Sequence, residues 1–155
     1  MSIQIFKHIS IGGISKDKLI EKLIDKGIQF NQYAHVLFDD SNFIVSTEIE
    51  NVDLVKISLF DLGLSEQSSY DKIVDEAQKI ELKQCPLCLG AFLRPEYLDQ
   101  EEGPYLTIAS EKMVKDVKYP NGFYIRHIDN IFWLRGYYAS DDYKWPLNSE
   151  FVFIK

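Results

Sequence analysis

The chain has 155 residues and a mass of 18.0 kDa; 46% of its residues are hydrophobic and 26% charged, with a formal net charge of -7 and a pI near 4.9. A chain this long buries roughly 70% of its unfolded surface, so one self-sufficient domain over residues 1–155 is expected and disorder is disfavoured. The acidic balance also argues against a protein built to grip phosphate backbones, which makes nucleic acid an unexpected partner.

Two cysteines, Cys85 and Cys88, are too few for a disulfide framework. Met1 to Lys16 shows no signal-peptide pattern, and no run approaches the roughly 18 apolar residues of a membrane span. A cytoplasmic protein with no membrane contact is therefore expected.

In chain order, the loose alternation of Ile3 to Ile11 predicts a short strand ending at Gly12-Gly13. Ser15 follows as an N-cap, with Ile14 and Leu19 spaced as a hydrophobic staple. Leu19, Ile20, Leu23 and Ile24 form the apolar stripe of a first helix, which Gly27 closes as its left-handed terminal residue, with Ile28 folding back onto Leu23. Phe30, Tyr33, Ala34, Leu37 and Phe38 then predict a second helix with Asn31 as cap. A helix-turn-helix is rejected, because Gln32 to Asp40 carries no Lys or Arg to face DNA. Val52 to Leu59 reads as a strand with one shift of face. Tyr70, Ile73, Val74, Ala77 and Ile80 predict a third helix, with Ser68 and Asp71 as its capping pair.

From Pro104 the period changes to two. Strands are predicted at 105–109, 122–128, 131–138 and 150–154. Residues 97–155 hold 13 of the 21 aromatics, while residues 1–83 carry 9 basic against 14 acidic side chains. A mainly helical part (1–83) and an aromatic-rich β part (84–155) follow. The expected class is α+β, with N-terminal amphipathic helices packed on a mainly antiparallel C-terminal sheet.

The most distinctive run is Cys85-Pro86, Gly90, Leu93-Arg94, Tyr97-Leu98-Asp99-Gln100 and Gly103, together with Phe132-Trp133-Leu134 and the closing Phe151-Val152-Phe153. It resembles a group of small bacterial proteins sharing Cys-Pro, Leu-Arg, Tyr-Leu-Asp-Gln and a C-terminal Phe-Val-Phe strand, over residues 84–155. Such relatives often carry Glu between Cys-Pro and Gly; here Leu87, Cys88 and Leu89 stand there. The resemblance implies a shared fold and nothing firmer.

Most chemistries are excluded by what is missing. Cys85-Pro86-Leu87-Cys88 is a C-x-x-C, but it lies mid-chain after a helix rather than after an early strand, so structural thiols are expected. Zinc would need two more ligands, and His8, His35 and His127 stand isolated, so no metal or other cofactor is expected. No Gly-x-Ser-x-Gly or phosphate-binding Gly-rich loop occurs, and Glu101-Glu102 and Asp141-Asp142 read as solvated loops. No catalytic residue is assigned.

Two candidate sites remain. Asp129-Asn130 suits a two-residue type I′ turn, which pairs Ile128 with Ile131, His127 with Phe132, Arg126 with Trp133, Ile125 with Leu134 and Tyr124 with Arg135. One hairpin face is then core (Phe123, Ile125, His127, Phe132, Leu134). The other presents Tyr124, Arg126, Trp133 and Arg135, with Arg126 over Trp133 worth about 0.5–1 kcal/mol as a cation–π contact. Aromatics with arginine are what protein interfaces use as anchors, so a non-catalytic module binding another protein through these four residues is the first expectation. The alternative is a small enzyme or ligand-binding domain with a pocket around Cys85, Arg94, Tyr97 and Asp99, in which Arg94 pairs with Asp99 or holds an anion.

Overall fold

The computed structural model describes residues 3–116 and 118–155. Strand β1 (Lys7–Ile11) gives way after Gly12-Gly13 to helix α1 (Lys16–Asp25). Ser15 caps α1 as expected: its hydroxyl accepts from the Lys18 N–H at 3.2 Å, a contact worth about 1 kcal/mol. Gly27 ends the helix at φ +77°. Its N–H donates to Ile24 O at 2.9 Å and the Ile28 N–H to Leu23 O at 3.0 Å, which folds Ile28 back into the core. Leu19 and Leu23 are buried, but Ile24 is 59% exposed. The buried strip of α1 is only one i, i+4 pair wide, and Ile24 falls outside it.

A two-residue strand that the periodicity does not reveal, β2 (Gln29–Phe30), separates α1 from helix α2 (Gln32–Asp39). Phe30 therefore belongs to the sheet and not to the helical stripe, and Tyr33 lies on the exposed side of α2. Asn31 caps α2, its Oδ1 accepting from the Ala34 N–H at 2.9 Å.

Strand β3 (Glu50–Ser58) is followed by helix α3 (Tyr70–Lys79). The cap of α3 is Ser69, accepting from the Lys72 N–H at 3.4 Å. Ser68, predicted for that role, exchanges two backbone hydrogen bonds with Trp145 instead. The short helix α4 (Leu89–Leu93) and a 3-10 turn (Arg94–Glu96) lead to β4 (Tyr105–Ile108), β5 (Gly122–Ile128), β6 (Ile131–Tyr137) and β7 (Glu150–Ile154).

The seven strands form one sheet in the order β1-β3-β7-β4-β5-β6-β2. Neighbours are antiparallel except β4 with β7 and β2 with β6. The fold is α+β, and the sheet is not confined to the C-terminal part: β1, β2 and β3 come from residues 1–83 and interleave with the later strands.

Both sheet faces carry a core. Val52 and Leu54 of β3 join a cluster with Ile9, Phe123, Ile125 and Leu134, covered by Leu19 and Leu23 of α1, Leu37 and Phe38 of α2, and Leu89 and Leu93 of α4. Val55 and Ile57 point the other way, into a cluster with Phe151, Phe153 and Trp145 covered by Ile73 and Ala77 of α3. The face shift expected within β3 is thus a strand buried on both sides, with no irregularity in its pairing.

Candidate functional site

The β5–β6 hairpin forms as its sequence dictates. Asp129 and Asn130 sit at φ 55° and 63°, the type I′ turn, and all five expected cross-strand pairs are present. Phe123, Ile125 and Leu134 are fully buried beneath α2 and its neighbours. Register then forces Tyr124, Arg126, Trp133 and Arg135 onto the opposite face.

That face is covered by α3 only over β3 and β7. Thr107 of β4 is buried and Tyr137 of β6 packs against the cluster beneath α3; farther across β5 and β6, Tyr124, Arg126, Trp133 and Arg135 lie outside both hydrophobic clusters and are half-buried. Tyr105 of β4, opposite Arg126, belongs to the same surface and is 41% exposed. Its ring meets Tyr124 edge-on at 5.5 Å. Sequence periodicity could not assign it, because the β4–β5 register depends on a long connection and not on a tight turn.

The cation–π pair differs from expectation. Arg135, not Arg126, stacks on Trp133, its guanidinium carbon 4.2 Å from the ring centre, and its Nη1 donates to the Tyr124 hydroxyl at 3.3 Å. Arg126 turns toward the loop before β4, where its Nε donates to Gly103 O at 2.6 Å. Among the described residues neither guanidinium lies within ion-pair distance of a carboxylate. In a protein of net charge -7, two such cations on one aromatic surface are an uncompensated local feature.

The alternative residues are placed otherwise. Arg94 is fully buried, and both terminal nitrogens are held within the fold: Nη1 reaches Gln100 Oε1 at 2.8 Å and Trp133 O at 3.2 Å, and Nη2 reaches Tyr97 O at 2.5 Å, while Nε is buried without a partner among the described residues. Its guanidinium also lies 5.2 Å from the centre of the Phe132 ring. Burial pushes its pKa down to about 10, so it stays charged at neutral pH. The expected Arg94–Asp99 pair does not form, because Asp99 is exposed and Gln100, the next residue, points inward.

Gln100 completes the knot by donating to Ile125 O at 3.2 Å. Tyr97 packs against Phe6 at 4.8 Å and accepts from Lys56 Nζ at 3.3 Å. The run Leu93 to Gln100 is therefore a clasp that ties the 3-10 turn to β5 and β6. The guanidinium is fully enclosed, Nε included, so no edge of it is open to an anionic ligand from solvent.

Cys85 and Cys88 are both free and buried. The Cys85 thiol donates to Val152 O at 3.6 Å. Burial pushes Cys85 well above the ordinary thiol range and Cys88 up to about 11, the opposite of what a nucleophilic or redox thiol requires. Among the described residues no three His, Cys, Asp or Glu side chains converge to hold a metal ion, and no helix is long and apolar enough to cross a membrane.

No protein-family model, curated protein or solved structure matches the chain.

Proposed function

We propose that the protein is a non-catalytic cytoplasmic interaction module whose uncovered β4–β5–β6 face docks an acidic segment of another protein. The observation that carries this reading is the pair of guanidiniums, Arg126 and Arg135, held among Tyr105, Tyr124 and Trp133 without a carboxylate partner. Stacking on Trp133 pre-orients Arg135, so its planar fork loses little freedom on meeting a carboxylate. Trp, Tyr and Arg clustered on a rigid sheet are the residue types from which interface anchors are made. A carboxylate-bearing polypeptide suits this surface better than nucleic acid, whose continuous phosphate charge the acidic remainder of the chain would repel. The two unpaired thiols suit a reducing compartment.

Selection of random displayed peptides on the immobilised protein tests the reading. Asp/Glu-rich sequences are expected to emerge, and the double variant R126Q/R135Q, with the fold intact by circular dichroism, is expected to lose them. Peptides without acidic enrichment, or equal retention by the double variant, would contradict it.

A further inference from the structure

The sheet face that α3 half-covers carries unneutralised charge of both signs, and the two signs are kept apart. Over β5 and β6 it is positive, with Arg126 and Arg135 among Tyr105, Tyr124 and Trp133. On the α3 side it is negative. Asp71 and Asp75 stand at i and i+4 and share one exposed flank of the helix, a like-charge spacing that costs an isolated helix about 0.2–0.5 kcal/mol. That flank is turned toward the chain leaving β4 and the loop following β6, where Glu111 and Asp141 add to its charge.

The lysines nearby do not answer these carboxylates. Glu76, on the other flank of α3, holds both Lys72 and Lys79, at 3.3 and 2.9 Å. Lys112 rests its ammonium over the Tyr138 ring at 5.5 Å. Among the described residues no ion pair reaches Asp71, Asp75, Glu111 or Asp141. The acidic flank and the two arginines lie side by side on one sheet, each without a counter-ion.

Their shapes are complementary as well. Helix α3 has 10 residues, so it is about 15 Å long and roughly 10 Å thick, and it stands as a ridge over β3 and β7. Beside it the surface over β5 and β6 is recessed by about one helix diameter. Three exposed aromatics of this side, Tyr105, Tyr138 and Tyr143, supply apolar area between the charged ends.

We propose that this face pairs with the same face of a second copy of the chain, the α3 ridge of each copy seating in the β5–β6 recess of the other. The inference rests on the docking face described above and names its acidic segment, α3 of the second copy. A two-fold axis between the copies, running along the strands, carries the ridge of one half onto the recess of the other half, so both contacts form together and the assembly closes at two chains. Asp71 and Asp75 of one copy then meet Arg126 and Arg135 of the other as carboxylate–guanidinium pairs, and the exposed tyrosines pack between the two sets.

Sedimentation analysis of the full chain, at concentrations from about 1 to 100 μM, tests the proposal through charge reversal. The wild-type chain is expected to form a dimer that high salt weakens. R126E/R135E and D71K/D75K, each shown to be folded by circular dichroism, are expected to be monomers alone and to form a heterodimer when mixed, because the mixture restores both contacts. The neutralising pairs R126Q/R135Q and D71N/D75N, which serve if a reversed pair does not fold, are expected to weaken the dimer about tenfold or more. A wild-type chain that stays monomeric, reversed variants that still self-associate, or folded reversed variants that ignore each other when mixed would overturn the proposal. Acidic display peptides binding at Arg126 and Arg135 of a monomeric wild-type chain would keep the docking face and overturn only the second copy as its partner.

Discussion

Arg94→Ala is expected to lower the stability of the protein by about 3–5 kcal/mol. Truncation strands three acceptors at once: Gln100 Oε1, Tyr97 O and Trp133 O all lose their donor. Each orphaned buried group costs about 1–3 kcal/mol, and the emptied space adds a cavity term. In a 155-residue chain the loss corresponds to a fall in Tm on the order of 6–20 °C. Arg94→Lys is not a conservative control, since a single ammonium cannot reproduce a fork that reaches partners on opposite sides. It is expected to recover less than half of the loss. Chemical denaturation of the three proteins checks this, and a loss below about 1 kcal/mol in the alanine variant would refute the clasp.

Gly136→Ala is expected to cost about 2–3 kcal/mol, against the sign of local propensity. Gly136 lies within β6, where alanine is ordinarily favoured by about 0.5–1 kcal/mol. A Cβ there would meet Tyr33 C at 2.6 Å, Ala34 N at 2.8 Å and Tyr33 Cβ at 2.8 Å. Two of those three atoms are backbone of the first turn of α2, so no rotamer change relieves the contact. The helix would have to move away, which also breaks the two hydrogen bonds Asn31 makes with the Gly136 backbone, each 2.8 Å. Asn31→Ala, which removes those bonds without a clash, is expected to cost less, about 1–2 kcal/mol. Equal or greater stability of Gly136→Ala in urea would show that the strand and helix are not in this close contact.

Local signals were legible, and distant pairings were not. Ser15, Asn31 and Gly27 act within one turn of chain, and Asp129-Asn130 sets the register of its own hairpin, so each could be read from neighbours in sequence. β2 could not be found by periodicity, because two residues have no period; Gln29 and Phe30 are strand only because Trp133 and Leu134 lie beside them. Leu54 and Val55 look like a slip of face only if one side of the sheet is assumed to be wet. Arg94 was legible as unusual, but its partners are mostly backbone carbonyls, which carry no sequence signature, so the nearby Asp99 was the natural and incorrect choice.

The candidate surface was half legible for the same reason. The hairpin alone placed Tyr124, Arg126, Trp133 and Arg135 together, but Tyr105 arrives from a separate strand. The rotamers that put Arg135 rather than Arg126 on Trp133 depend on the Gly103 carbonyl capturing Arg126.

Amide chemical-shift mapping during titration with an acidic peptide obtained from the display selection tests the uncovered arginine face most directly. Shifts are predicted to concentrate at Tyr105, Tyr124, Arg126, Trp133 and Arg135, with the Trp133 indole N–H moving and that of buried Trp145 fixed. Shifts centred on α1 and α2, or a Trp133 indole that does not respond, would contradict the proposed docking face.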